Sequence, residues 1–396
     1  MTSMRSLAQI AGLIGMALFA INLILSARLK HLENYFGGLN RIYIIHHLIG
    51  GLSFCLLLFH PLFSAVRLVP VSVSFAGALL VPSLNNLPVA YGIVALAIMI
   101  LTLFFTFHFR PKYQFWRGLH KYLGLAFFFA GLHVFFIPSD VSTNYFLRFY
   151  MLLLSTVALL FFTYYTLLGK YLIKKYEYKV TSVEKINEKV IEVSLLALAE
   201  KMVYSPGQFV FFKFNNKKIG EEEHPFSISS NPADKFLQII VKNLGDFTAR
   251  LKQLEVGTKV TIDGPYGKFS YKNAHHKKQI WIAGGIGITP FLGMFPDVRD
   301  DKYSVTLVYV LAKENEAVHL PEMLLHAKEY PNFRVATFGS SERGRITAEI
   351  IHHYYGNLDD ISIFLCGPPY MMKSLREQFE TLGVSSTDIH SEEFEL

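Results

Sequence analysis

Polar and apolar positions divide the chain into two regions of different pattern. Up to about residue 172, long apolar runs alternate with short polar stretches. Five runs, at about 7–27, 42–64, 91–108, 120–137 and 146–172, are candidates to cross a bilayer. A helical span needs roughly 17–25 apolar residues, which each run approaches or exceeds. The first run follows Arg5 without a small-x-small cleavage site, so it reads as a retained helix and not as a signal peptide. Arg67, Pro70 and Pro82 interrupt 66–84, which reads as a loop outside the membrane.

From about residue 176 the runs shorten and alternate, at 178–183, 190–195, 208–214, 236–242 and 259–263, with Gly, Pro or Asn in many of the gaps. Period-two alternation broken by turn residues predicts a small antiparallel barrel. After Lys278 the pattern changes again: a buried strand at 279–283, a glycine-rich turn at 284–290, a strand at 305–311, a helix at 321–329, and strands at 334–337 and 361–366. Strands separated by helices predict a parallel, doubly wound sheet. The expected architecture is a multi-domain membrane protein: an all-α transmembrane bundle over 1–172, an antiparallel β-barrel over 173–275 and an α/β doubly wound domain over 276–396.

Charge adds an orientation. The formal net charge of +7 is modest, and basic residues gather in short loops: Arg28, Lys30 and Arg41 in one, Arg110, Lys112 and Arg117 in another. Between them, 65–90 carries only Arg67 and 138–145 only Asp140. This alternation predicts a multi-pass cell-membrane protein with its basic loops and its C-terminal domains in the cytoplasm. Helices 42–64 and 120–137 then run parallel. No basic stripe or binding motif points to nucleic acid, membrane lipid is the expected surrounding, and no obligatory protein partner is evident. Two cysteines, Cys55 and Cys366, exclude a disulfide framework and a four-cysteine iron–sulfur cluster.

Four histidines lie inside the predicted spans: His46 and His60 on one helix, His120 and His133 on another. An imidazole in a bilayer is costly without a partner, so each is a functional candidate. Fourteen residues separate the first two, a rise of about 21 Å and nearly four turns, which puts both on one face. The neighbouring His47 fits that face less well. Thirteen residues separate the second two, at similar height but about 140° apart on a regular helix; Gly124 and Gly131 are the expected points of relief. Two histidines at matching depths on parallel helices make two layers, and each layer can hold one haem between two imidazoles.

On these four histidines the chain resembles the ferric reductase and NADPH oxidase superfamily, and within it the compact bacterial NADPH oxidases. The resemblance implies two b-type haems, the inner on His46 and His120, the outer on His60 and His133. Members of that superfamily commonly have six helices, with the ligands on the third and fifth; here they fall on the second and fourth of five. A missing first helix would leave the haem-bearing core intact and place the N-terminus outside.

The second half carries motifs that fit the same resemblance. His224-Pro225-Phe226-Ser227-Ile228-Ser229 resembles the flavin motif of the ferredoxin-reductase superfamily, with Phe226 packing on FAD and Ser227 donating to the isoalloxazine edge. Gly245-Asp246-Phe247-Thr248 resembles the pyrophosphate turn, in which backbone N–H groups and the Thr248 hydroxyl hold phosphate oxygens. Gly284, Gly285 and Gly287 follow a strand directly, and Thr289 and Pro290 suit a helix start; glycines there let the backbone approach a pyrophosphate. Cys366-Gly367-Pro368-Pro369 resembles the motif that sets nicotinamide near flavin, with Cys366 as a packing and orienting group. Ser341, Arg343 and Arg345 lie where the family contacts the adenosine ribose and suit a 2′-phosphate, while Glu342 disfavours one, so NADPH and NADH both remain open. Phe394 resembles the terminal aromatic that stacks on flavin and moves aside for nicotinamide.

The resemblance thus implies a transmembrane haem domain followed by a ferredoxin-reductase-like module. Its expected function is an NAD(P)H oxidase that reduces dioxygen to superoxide on the far side of the membrane. A ferric-chelate reductase with the same electron path is the alternative; a non-catalytic haem-binding sensor is disfavoured by the intact motifs.

Overall fold

The computed structural model describes residues 2–109, 113–220, 222–299 and 301–392. The chain divides into two compact units, Met1–Ile173 and Lys174–Leu396.

The first unit is helical. Its long helices are α1 (Thr2–Leu25), α2 (Leu39–Val66), α3 (Leu87–His108), α4 (Tyr122–Phe136) and α5 (Tyr145–Phe162), with a short helix Tyr113–His120 leading into α4. Among the described residues five helical stretches are long and apolar enough to cross a membrane, the fourth running over Phe115–Phe136. Residues such as Leu48 and Phe107 stay exposed on the outside, as a bilayer solvent permits. Inside, Phe19 of α1 meets Phe127 of α4 edge to face, ring centres 5.1 Å apart. The stretch after α2 carries one short helix, Val73–Ala78, capped by Ser72, and is not among the spans.

The second unit begins with a six-stranded antiparallel sheet: β1 (Tyr176–Asn187), β2 (Val190–Ala197), β3 (Phe209–Phe214), β4 (Glu223–Ser227), β5 (Leu237–Lys242) and β6 (Lys259–Tyr266), in the order β4-β3-β6-β1-β2-β5. Five strands were expected. The sixth, β4, is the flavin-like motif itself, and Pro225 is tolerated in it because β4 ends the hydrogen-bonded order. A five-stranded parallel sheet follows: β7 (Lys278–Gly284), β8 (Ser304–Leu311), β9 (Phe333–Gly339), β10 (Ile361–Cys366) and β11 (Ile389–Glu392), in the order β11-β10-β7-β8-β9. Helices α6 (Thr289–Met294), α7 (Leu320–Glu329), α8 (Ala348–Tyr355) and α9 (Pro369–Thr381) connect the strands. Strand β7 alternates Trp281 into one core and Ile280 and Ile282 into the other. The chain steps from β7 to β8 on one side and later to β10 on the other, so a crevice opens at the carboxyl ends of β7 and β10.

Candidate functional site

In the helical unit the structure brings the four histidines together as two pairs. His46 faces His120 with ring centres 6.3 Å apart, and His60 faces His133 at 6.1 Å. Pairing low with low and high with high requires the two helices to run in the same direction. His47 is exposed.

Between His120 and His133, which stand about 140° apart on a regular helix, the helix is interrupted at Lys121. The short helix ends at His120, α4 starts at Tyr122, and Gly124 N–H donates to the Lys121 carbonyl three residues back at 3.0 Å. Gly124 also lies at a close helix contact. A Cβ there would lie 2.1 Å from the Phe162 ring of α5, whereas Gly131 has open space around it.

Three of the rings are held from behind. His46 Nδ1 lies 3.2 Å from the Asn22 carbonyl, His60 Nδ1 2.7 Å from that of Ala8, and His133 Nδ1 2.7 Å from that of Pro88. A carbonyl only accepts, so Nδ1 carries the hydrogen and Nε2 keeps its lone pair. His120 Nδ1 is buried without a hydrogen-bond partner, and its ring lies 5.1 Å from that of Trp116. Glycines make the close approaches possible: a Cβ at Gly12 would stand 2.7 Å from His60 Nδ1, and one at Gly92 2.9 Å from His133 Nδ1.

The spacing fits a shared metal. An imidazole nitrogen binds a metal ion at about 2 Å and its ring centre lies about 1 Å behind, so two rings on opposite sides of one ion have centres about 6 Å apart. Among the described residues no group of three or more His, Cys, Asp or Glu is placed to hold a metal ion. Each set is therefore a pair, the number a haem iron takes when both axial positions are filled by protein.

In the second unit two glycine turns meet at the crevice. A Cβ at Gly287 would lie 2.2 Å from the Cys366 carbonyl oxygen, one at Gly284 2.7 Å from Pro368, and one at Gly367 2.9 Å from Gly284 Cα. The 284–290 turn and the 366–369 turn therefore touch backbone to backbone. Gly285 takes a φ of +54°, which glycine adopts without penalty. Thr289 is buried with its hydroxyl donating to the Ile286 carbonyl at 3.1 Å, and Pro290 sits in the first turn of α6. Burial pushes the Cys366 thiol well up, with the Glu392 charge adding to it; a thiol held protonated away from solvent packs and does not react. Ser341, Arg343 and Arg345 follow β9 and are exposed. The Arg345 guanidinium stands 5.9 Å over the ring of Tyr370, just after the 366–369 turn, and that of Arg343 6.0 Å over Phe338.

The segment that follows the flavin-like strand packs on α6. A Cβ at Gly293 of α6 would lie 2.8 Å from the Ser230 carbonyl oxygen. The Asn231 side-chain amide donates to Gly293 O at 3.1 Å and to Asp297 Oδ1 at 2.7 Å. Tyr271 and Lys272 donate to the other oxygen of Asp297. Ser227 and Ser229 are buried, and Ser229 Oγ has no hydrogen-bond partner. Phe226 leans on the barrel core near Phe212, ring centres 5.8 Å apart. His224 stacks on Phe247 at 3.6 Å and meets Glu222 at 3.0 Å. The Thr248 hydroxyl is engaged locally, accepting from Gly245 N–H at 3.0 Å. Nearby, Arg250 has a buried Nε without a partner, a cation that no local sequence motif marks. Phe394 lies outside the described residues.

Comparison with known families agrees with both halves. The profile of a "Ferric reductase like transmembrane component" matches residues 11–131, that of an "FAD-binding domain" residues 175–270, and that of an "Oxidoreductase NAD-binding domain" residues 281–377. The chain belongs to the ferric reductase/NADPH oxidase superfamily. As a superfamily member it is an NAD(P)H-dependent oxidoreductase that joins a transmembrane domain to an FAD and NAD(P)-binding module. It is similar to the toluate 1,2-dioxygenase electron transfer component of Pseudomonas putida, 23% identical over 55% of this chain and 67% of that protein. It is also similar to a probable dihydroorotate dehydrogenase B (NAD(+)) electron transfer subunit of Pyrococcus furiosus, 30% identical over 52% of this chain and 77% of that one. Among solved structures, the flavohemoglobin of Malassezia yamatoensis, with bound FAD and heme, shares the fold at a TM-score of 0.52 and 19% identity, over 77% of this chain and 86% of that one.

Proposed function

We propose that this superfamily member is a transmembrane NAD(P)H oxidase: electrons leave cytoplasmic NAD(P)H, cross through FAD and two bis-histidine b-type haems, and reduce dioxygen to superoxide outside the cell. The observation that carries the reading is the pair of imidazole sets, with centres 6.3 and 6.1 Å apart and three of the four rings locked to present Nε2. Basic loops at 28–41 and 109–119 support a cytoplasmic position for the soluble module.

Within that reading each residue has a physical task. His46 and His120 would hold the inner haem, and His60 and His133 the outer. FAD, when bound, matches the two-electron hydride donor to iron that accepts one electron at a time. Buried Ser227 and Ser229 offer hydroxyls to the flavin edge, and Phe226 shapes the wall. Gly284, Gly287 and Gly367 let the two turns close backbone to backbone, and Gly285, with open space where a Cβ would stand, leaves the nucleotide pyrophosphate room to reach backbone N–H groups. Cys366 and Pro368 form its floor, and Arg345 is the better placed cation for the ribose end because it reaches Tyr370. With His60 and His133 both committed to holding it, the outer haem would supply one-electron transfer to the acceptor.

The description of the matching family profile favours a second reading, ferric-chelate reduction along the same path. One assay separates them. Purified protein with haem and FAD is given NADH or NADPH, and cytochrome c reduction is followed with and without superoxide dismutase. Inhibition by the dismutase is expected; insensitivity together with fast ferric-chelate reduction would replace the oxidase reading.

A further inference from the structure

The barrel and the nucleotide-binding domain meet along two seams. The first is the Asn231–Asp297 network. The second lies on the outer faces of β2 and β5. Alternation in β2 turns Ile191, Val193 and Leu195 into the barrel core and leaves Val190, Glu192 and Ser194 on the other face. Across from Glu192 and Ser194 stand Ile240 and Gln238 of β5. Val190 and Ile240 share one buried cluster with Ile288 of the nucleotide turn.

At the edge of that cluster Glu192 accepts from Gln238 Nε2 at 3.0 Å and from His319 Nε2 at 2.6 Å. The other ring nitrogen, His319 Nδ1, lies 3.1 Å from Glu322 in the first turn of α7. Ionised carboxylates only accept, so a ring bonded to two of them through both nitrogens is an imidazolium. The His319 backbone takes a φ of +50°, a left-handed conformation that costs energy away from glycine and persists where its surroundings hold it.

We propose that His319 is a positioning residue: its imidazolium, latched between Glu192 and Glu322, holds β2 and β5 against the nucleotide turn and so sets how nicotinamide approaches flavin. The charge agrees with this role. The Glu192 bond, opposed by burial and aided by Glu322, lifts the His319 pKa to about 9. The charged groups facing the ring are Glu192 from β2 and Glu322 from α7, while β5 contributes the neutral Gln238. Tyr309 of β8 bonds the neighbouring Val318 N–H, and burial pushes its phenol up to about 12, beyond the range concerned. The proposal rests on hydride transfer from NAD(P)H to FAD and not on the haem reading.

The test is flavin reduction by NADH or NADPH in the full-length, FAD-loaded protein, followed by stopped flow from pH 7 to pH 10. The wild-type rate should fall roughly tenfold as the pH passes through about 9. His319→Gln should be slow by a similar factor already at pH 7 and flat to pH 10, with the nucleotide KM within about twofold of wild type. Glu192→Gln should show the same slow, flat profile, and decides the matter if His319→Gln loses its flavin on purification. An alkaline fall that keeps its midpoint in these variants, or neutral rates equal to wild type, overturns the latch. Wild-type flavin that neither nucleotide reduces would instead overturn the proposed function.

Discussion

The two units place reactive groups by opposite means. In the helical unit side chains make the site: imidazoles converge in pairs, and backbone carbonyls of Ala8, Asn22 and Pro88 hold three of them. In the soluble unit side chains are removed instead: Gly284, Gly287 and Gly367 let two turns touch, and bare backbone is left open at Gly285. The difference follows from the solvent. In a bilayer the regular helix consumes nearly all backbone hydrogen bonds, so only a side chain is left to project. At the carboxyl ends of parallel strands the turns leave N–H groups unspent, and an anion can approach them once no Cβ intervenes.

The strongest way to break this comparison is to remove imidazoles. His60→Ala with His133→Ala should abolish the outer site, lower the Soret absorbance of the purified protein to roughly half and cut electron delivery to the far side by about a hundredfold or more. Flavin reduction by NAD(P)H should stay within about twofold of wild type. If it collapses as well, the two units do not work as separate sites.

The reciprocal change is made at the crevice. A Cβ at Gly287 would stand 2.2 Å from a main-chain oxygen, which no rotamer change relieves. Gly287→Ala should therefore slow flavin reduction by about a hundredfold through misplacement of roughly 1 Å, while haem absorbance stays unchanged. Equal rates in stopped flow would show that the two turns need not touch.

Legibility followed the same division. Four histidines in apolar runs could be read directly, because few polar groups survive there without a purpose. The five spans were legible from length and composition, and strands β7, β8 and β10 from their continuous apolar runs. The interruption at Lys121 was not, since nothing at that position departs from helix-forming chemistry. Strand β4 was missed because Pro225 argues against a strand, and only the sheet order shows that it lies at an end. Strand β11, four residues long, owes its existence to β10 beside it. Contacts such as Asn231 with Asp297, 66 residues apart, have no local signal at all.

Glycine is not confined to the soluble unit, and this sharpens the comparison. Gly12 and Gly92 serve the imidazoles, letting α1 and α3 come close enough for a carbonyl to reach a ring nitrogen. Gly12→Ala and Gly92→Ala should each push a ring off its carbonyl and weaken haem retention by about tenfold, the range seen when an outer-shell partner is lost. Titration of haem into apo-protein checks this. Retention equal to wild type in both variants would mean that the carbonyl contacts do not govern the imidazoles.

The smallest effects belong to the two seams of the soluble unit, which should fail at opposite ends of the pH scale. Burial opposes the Asp297 charge, but bonds from Lys272 and Asn231 outweigh it and hold the carboxyl below its usual value of 3.8. A lowered carboxyl pKa contributes stability that is present above the unfolded value and lost as the pH falls through the folded one. His319 has the opposite sign: raised from 6.5 to about 9, it contributes fully below 6.5 and is lost as the pH rises through 9. Both groups are partly exposed, so each seam should contribute no more than about 1 kcal/mol. In thermal melts of the full-length protein, Asp297→Asn should flatten the acid limb of the stability profile and leave the alkaline limb alone, and His319→Gln should do the reverse. A single variant that flattened both limbs would mean that the seams open together, and the barrel and nucleotide domain would then respond to pH as one body.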